Sequence, residues 1–354
     1  MNGAELLDSK MAMMPLSVTR QEVNDIANYI QFFDLRAALK IVSDNIHSDN
    51  VRHILLIGSG DSYALALLYA ALFNEISALP ARAIQAGEIL RENVNYLNKS
   101  WLVIVLSASG RPSSVLDALI KVQATQAQVI SITNTADSPF AVNAHNLVTT
   151  QAKKVGMPTQ SSIASALYLD VIGCTLIPDY KRILISELTN LRQKMACLSG
   201  ISKDSWYQTL LCLLFSKRVT LLGSGGDFGL ALLLSNLLWC GPQLPNQVLQ
   251  LEEYEHALRL NQASLDDLVI VFDCTGNSSL IADRIVKRLT NKKLEAIYID
   301  NEFLSLMMRE NSSLFSQSGN CRYYAMMFIF SLIISATENH LLAGGSRVSL
   351  EQNI

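Results

Sequence analysis

The chain has 354 residues, half of them hydrophobic and 17% charged, with a formal net charge of −3 at pH 7. That length anticipates two domains, each able to bury its own core, and the hydrophobic share excludes a disordered chain. The charge, with no local run of basic residues, excludes an electrostatic footprint for nucleic acid, so partners are expected among small molecules or other protein chains. Six cysteines (Cys174, Cys197, Cys212, Cys240, Cys274 and Cys321) lie scattered without CxxC spacing, which fits a reducing cytoplasm and offers no metal site. No secretory signal is read in MNGAELLDSKMAMMPL.

Residues 1–50 form a helical lead-in. Val18 to Val42 shows amphipathic spacing, with Thr19 as a candidate N-cap and Glu22 three residues later in the arrangement of a capping box. His53 to Ile57 predicts a strand, followed by Gly58-Ser59-Gly60-Asp61-Ser62-Tyr63 and an apolar helix over Ala64 to Phe73. Further strands are expected over Ala81 to Gln85, Leu102 to Leu106, Val129 to Thr133 and Asn146 to Thr150, and a long apolar helix over Thr159 to Ile177. Pro178 to Leu214 reads as a helical connection between domains. The late apolar stretch Tyr323 to Ala336 is shorter than the ~20 residues of a membrane span and predicts a buried helix.

Within that order, WLVIVLSASGRPSSVLDALIKV at Trp101 to Val122 is the most informative stretch. A buried parallel strand stops at Ser107, Ala108, Ser109 and Gly110, and helical spacing resumes with Pro112 at the first helical position. The free N–H groups of a helix start then face two hydroxyls, an arrangement suited to phosphate. An ordinary strand-to-helix connection capped by serines fits the same residues.

The first half recurs. ILLIGSGDSYALAL at Ile54 aligns with VTLLGSGGDFGLAL at Val219, so that Gly223 follows Gly58 by 165 residues, and Glu253 follows Glu88 by the same 165. LVIVLSASGRPSS aligns with LVIVFDCTGNSS, where Gly276 follows Gly110 by 166. Strands alternating with helices, in duplicate, predict an α/β fold of two tandem, doubly wound parallel sheets of flavodoxin-like order, each a three-layer αβα domain. The boundaries read as 51–200 and 201–354. Asp273 replaces Ser107 in the second copy and would repel a phosphate, which assigns the phosphate site to the first copy.

GSGDSY at Gly58, AGEILRE at Ala86, LSASG at Leu106 and VGMPTQSSIASALYLD at Val155 resemble the double SIS-domain (sugar isomerase) family, from about Val51 onward. The chain looks similar to the isomerase half of glucosamine-6-phosphate synthase and to stand-alone phosphosugar isomerases and deglycases. The resemblance implies that Ser59, Ser62, Ser107, Ala108, Ser109 and Ser113 surround a sugar phosphate. It also implies a homodimer in which His256, beside Glu253, reaches the partner's site. The family's glutamate, sixteen residues before that histidine, falls on Cys240; its lysines fall on Gln160 and Leu237. Proton transfer between C1 and C2 of an open-chain sugar needs a positioned base, so Glu252, Glu253, Glu255 or His256 would have to supply it.

Two readings of function follow. One is an aldose–ketose isomerase or amino-sugar phosphate deaminase; the other is a phosphosugar sensor without catalysis. A solvated helix explains His256 and its glutamates as readily, and a buried small hydrophobe explains Cys240. No cofactor is expected, because Tyr63 and Phe228 replace the third glycine of a dinucleotide fingerprint and no GxxxxGK[ST] occurs. The helices over Ala64 to Phe73 and Leu230 to Cys240 are more apolar than one buried face requires. Their surplus is expected against the other domain or a second subunit.

Overall fold

The computed structural model describes residues 16–77, 79–194, 204–256, 259–275, 279–307 and 321–343. They divide into two compact units. The first comprises Asn28–Lys154 with Gln160–Arg192; the second comprises the described residues of Met1–Ala27, Val155–Thr159 and Gln193–Ile354.

The first unit is built on β1 (His53–Gly58), β2 (Ala81–Gln85), β3 (Trp101–Ser107), β4 (Gln128–Thr133) and β5 (Leu147–Thr149), all parallel in the order β2-β1-β3-β4-β5. Parallel strands covered on both faces read as continuous apolar runs, which is why HILLI and LVIVL are uninterrupted. Leu55, Ile57, Val103, Val105 and Val129 pack on one face with Ala118, Leu119 and Val122 of α6 (Ser114–Gln123) and with Phe140. Their sequence neighbours Ile54, Leu56, Leu102 and Ile104 are equally buried and point the other way, toward α4 (Asp61–Ile76) and α8 (Gln160–Leu176). The intervening short helices are α5 (Ala86–Ile89) and α7 (Pro139–Asn143), and α3 (Leu35–Ser43) precedes the sheet. Arg192 of α9 (Tyr180–Lys194) closes this unit by donating from Nε to the Ile30 carbonyl at 3.1 Å, at the end of α2 (Ile26–Phe32).

The second unit repeats the order with four strands: β6 (Arg218–Gly223), β7 (Asn246–Gln250), β8 (Asp267–Asp273) and β9 (Glu295–Asp300) form a parallel sheet β7-β6-β8-β9. Its helices are α1 (residues 16–24), α10 (Ser205–Ser216), α11 (Gly226–Cys240), α12 (Leu251–His256), α13 (Arg259–Gln262), α14 (Ser279–Asn291), α15 (Asn301–Met307) and α16 (Cys321–Leu342) among the described residues. The last runs 22 residues, well past Ala336, so the sequence reading underestimated it. It is long and apolar enough to cross a membrane by length and composition, yet Tyr323, Tyr324, Phe328 and Phe330 are fully buried inside the unit. Glu338 near its end pairs with Arg20 at 3.0 Å. It is a core helix of this unit.

Three further expectations change. The surplus apolarity of α4 and α11 is absorbed inside each unit, since α4 lies between its sheet and α8, and α11 between its sheet and α16. That surplus therefore gives no argument for a second subunit. Pro178 to Leu214 is not a single connection, because α9 belongs to the first unit and α10 to the second. Thr19 and Glu22 form no capping box, because the helix over residues 16–24 already includes them. Both face inward one turn apart and hold the 155–157 segment: Glu22 Oε1 accepts from the amides of Val155 (2.5 Å) and Gly156 (3.1 Å), and Thr19 Oγ1 accepts from Met157 at 2.9 Å. Hydrogen bonds to a charged acceptor contribute about 1.5–3 kcal/mol each, and orphaned buried amides add to the loss. Glu22→Ala is accordingly expected to lower stability by roughly 2–4 kcal/mol, read from the denaturant midpoint of the purified protein.

Candidate functional site

In a doubly wound sheet the crevice opens where neighbouring strands send their connections to opposite faces. In the first unit that point lies between β1 and β3, which pair directly with Ile57 opposite Val105. β1 continues into α4 on one face and β3 into α6 on the other, so the turns at 58–62 and 107–113 stand side by side at the carboxyl edge. All six residues expected to surround a phosphate, Ser59, Ser62, Ser107, Ala108, Ser109 and Ser113, belong to these two turns.

The first turn depends on two glycines. Gly60 has φ 55° and ψ −127°, a conformation that side chains disfavour, and caps α4 by accepting from Tyr63 and Ala64 at 3.0 Å. A Cβ on Gly58 would lie 2.6 Å from the Ser62 carbonyl carbon, so only glycine lets the helix backbone approach the end of β1 this closely. Ser62 is thereby held in the first turn of α4.

The second turn is fixed through its carbonyls. The Ser107 oxygen accepts from Thr133 Oγ1 (2.7 Å) and the Gly110 amide (3.2 Å), the Ala108 oxygen from Asn134 (3.2 Å), and the Gly110 oxygen from Phe140 (3.1 Å). With the carbonyls directed toward β4 and α7, the amides of Ala108 and Ser109 meet no protein acceptor among the described residues. α6 starts later than the sequence predicts. Ser113 is its N-cap, accepting from the Val115 amide at 3.3 Å, so Pro112 precedes the helix rather than opening it. Sequence reasoning missed Thr133 and Asn134, whose role becomes visible only through the β3–β4 register.

The equivalent turns of the second unit share the backbone and differ in chemistry. Gly225 has φ 54° and ψ −123°, within a few degrees of Gly60, and Gly223 sits against the Asp227 carbonyl as Gly58 sits against that of Ser62. The residue matching Ser62 is Asp227, which is fully buried. Its carboxylate accepts from the Cys274 amide (2.9 Å), the Thr275 amide (3.2 Å) and Thr275 Oγ1 (2.6 Å). Burial outweighs these donors and pushes its carboxyl up to about 6. Asp273, expected to repel phosphate, is buried at the end of β8 and accepts from Tyr298 Oη at 2.7 Å. By sequence Asn277, Ser278 and Ser279 could cap the next helix, and the resemblance places Arg347 in a tail over the substrate; Asn277, Ser278, Arg347 and the Ser279 side chain lie outside the described residues.

Glu253 and His256 belong to the second unit, on α12, and both are exposed. They line a pocket of about 700 Å³ with Glu252, Glu255, Ile281 and Arg284. Glu255 is committed there: Arg284 donates to both its oxygens, at 2.7 and 2.5 Å, and the guanidinium holds its carboxyl below the usual carboxylate range. That removes Glu255 from the candidate bases and leaves Glu252, Glu253 and His256. Arg259 stands at a loose 3.9 Å from Glu253. Cys240 is the half-buried last residue of α11. Among the described residues no cluster of histidine, cysteine and carboxylate side chains could hold a metal ion.

Residues 49–172 match the model of the SIS domain. A search among curated proteins finds no match to the sequence. Among solved structures, the chain is similar to a protein of Silicibacter pomeroyi provisionally named a phosphosugar isomerase (15% identity, 93% of this chain and 98% of that one, TM-score 0.73). It is also similar to the C-terminal domain of glucosamine-fructose-6-phosphate aminotransferase from Francisella tularensis (14% identity, 92% and 96%, TM-score 0.71). A third is glucosamine-6-phosphate deaminase from Thermotoga maritima (17% identity, 94% and 95%, TM-score 0.66). Residues 49–172 thus match one SIS domain, and the chain shares the α/β fold of these proteins over more than nine-tenths of its length.

Proposed function

We propose that this protein binds a sugar phosphate at the carboxyl edge of its first sheet and acts on it as an aldose–ketose isomerase or amino-sugar phosphate deaminase. The observation that carries the binding step is the pair of turns at the β1–β3 switch point. There the unengaged amides of Ala108 and Ser109 stand with the hydroxyls of Ser59, Ser62, Ser107, Ser109 and Ser113. Such a set of donors suits the three terminal oxygens of a phosphate monoester. The SIS match over the same residues, and the phosphosugar enzymes among the structures of like fold, support the reading. The repeated glycine turn supports a second SIS domain over 201–354, following the first over 51–200.

For the chemistry, His256 or Glu253 would take the proton from C2 of the open-chain sugar, giving an enediol, and return it at C1. As the resemblance implies, His256 would do this in a partner subunit's site, which makes the homodimer part of the proposal. Cys240 at the glutamate position favours the second reading, a phosphosugar sensor, because a thiol there is a poor proton carrier.

Screening phosphosugars and amino-sugar phosphates for thermal stabilisation and for turnover separates the two. Turnover is expected, and His256→Ala subunits mixed with Ser109→Asp subunits should regain part of it. One site in each heterodimer then keeps both intact groups, which gives at most about half the wild-type activity per heterodimer. Stabilisation without turnover would replace the enzyme by the sensor. Turnover without recovery in the mixture would remove His256 from a shared site.

A further inference from the structure

Three donors that make the first turn attractive to an anion, the amides of Ala108 and Ser109 and the Ser109 hydroxyl, have counterparts in the second unit, and there they are already occupied. Cys274 and Thr275 match Ala108 and Ser109, and their two amides converge with Thr275 Oγ1 on the Asp227 carboxylate. Asp227 stands where the first unit has Ser62, on a glycine turn of the same backbone conformation. We propose that Asp227 is a built-in substitute for a phosphate: its carboxylate fills the anion cradle of the second sheet, and this cradle accepts a phosphate monoester only once the carboxylate is removed. The chain would then hold one phosphate site and one copy sealed by its own acid. The inference stands apart from the reading of the first turn, because it concerns different residues and has its own test.

Two features distinguish this from an ordinary helix-end hydrogen bond. The carboxylate is fully buried, and a buried anion persists only where donors replace its lost water. The Cys274 amide, the Thr275 amide and Thr275 Oγ1 all donate to it, so the contact selects the ionised form. The ionisable groups near it are Asp273 at the end of β8, which repels it, and the Cys274 thiol, directed to the Ile299 carbonyl; Tyr298 and Asp300 of β9 lie beyond Asp273. No cation from β8 or β9 supports the charge, and the three hydrogen bonds of the cradle do.

The pH dependence follows in sign. With the folded carboxyl titrating at about 6 and the unfolded one at about 3.9, the folded state retains a proton between those values that the unfolded chain has lost. The stability contributed by the protonated group is complete below about 3.9 and is lost as pH rises through about 6. At pH 8 the acid is ionised and the cradle is filled.

The test follows the amide resonances of Cys274 and Thr275 in the full chain at pH 8 while inorganic phosphate is added. In the wild type they are expected to stay in place, and in Asp227→Ser to shift saturably, with phosphate recovering part of the melting temperature lost on substitution. Wild-type amides that move with phosphate, or folded Asp227→Ser amides that do not, overturn the proposal. Should Asp227→Ser fail to fold, a pH titration of the wild type decides. Cys274 and Thr275 amides that shift together with the protonation of the Asp227 carboxyl support it. Amides that ignore the protonation of that carboxyl overturn it.

Discussion

Ser109→Asp is expected to raise the dissociation constant of a sugar phosphate by at least about 100-fold while leaving the fold intact. Two effects act in the same direction. A carboxylate within about 4 Å of a phosphate costs roughly 4 kcal/mol per pair of charges at the effective dielectric of a protein surface. A lost hydrogen bond to a charged acceptor costs about 1.5–3 kcal/mol more. Even with half of this total recovered by solvent screening and side-chain rotation, about 3 kcal/mol remains, which is the hundredfold. Ser109 is only half-buried and its side chain is not engaged by the protein, so the substitution removes no packing. Calorimetric titration of the best ligand from the screen, with circular dichroism as the fold control, gives the answer. Affinity within about threefold of wild type, a difference of some 0.6 kcal/mol, would exclude this turn as the phosphate site.

Much of the fold was legible because its signals are local. Five-residue apolar runs ending in glycine or serine can only be buried parallel strands at that length, and the recurrence of GSG and of the strand LVIV announced the second sheet. What remained hidden depended on partners distant in sequence. Thr19 and Glu22 have capping-box spacing, and nothing near them reveals that their acceptors go to Val155, Gly156 and Met157. The extension of α16 past Ala336 was masked by polar residues, among which Thr337 is buried and Glu338 finds Arg20. In the second copy, Asp273 is the conspicuous acid because it sits inside the aligned turn. The carboxylate that occupies the cradle is Asp227, visible in the alignment opposite Ser62 but separated from Cys274 and Thr275 by a whole strand–helix unit. The commitment of Glu255 to Arg284 was hidden for the same reason, since α12 and α14 meet only in the folded chain.

The same repeat makes a sharp stability prediction at Gly58 and Gly223. An alanine Cβ at Gly58 would lie 2.6 Å from the Ser62 carbonyl carbon, 2.7 Å from its oxygen and 2.8 Å from the Tyr63 amide nitrogen. At Gly223 the corresponding distances to Asp227 and Phe228 are 2.5, 2.4 and 2.6 Å. These are backbone atoms of the first helical turn, so no rotamer change relieves the overlap and the whole helix start must move away from the strand. Overpacking costs about 1–3 kcal/mol where side chains can adjust, and more where they cannot, so each substitution is expected to cost about 3 kcal/mol or more. Gly60→Ala is the internal control. It meets nothing within 4 Å and suffers only from its positive φ, a strain of about 1–3 kcal/mol. Gly58→Ala should therefore lower the apparent Tm further than Gly60→Ala, and should also weaken phosphate binding by displacing Ser62 from the Ser107 turn. Gly223→Ala should match it in Tm and leave phosphate binding at the first turn unchanged. A Gly58→Ala protein as stable as Gly60→Ala would show that close approach of helix to strand is not what fixes this turn.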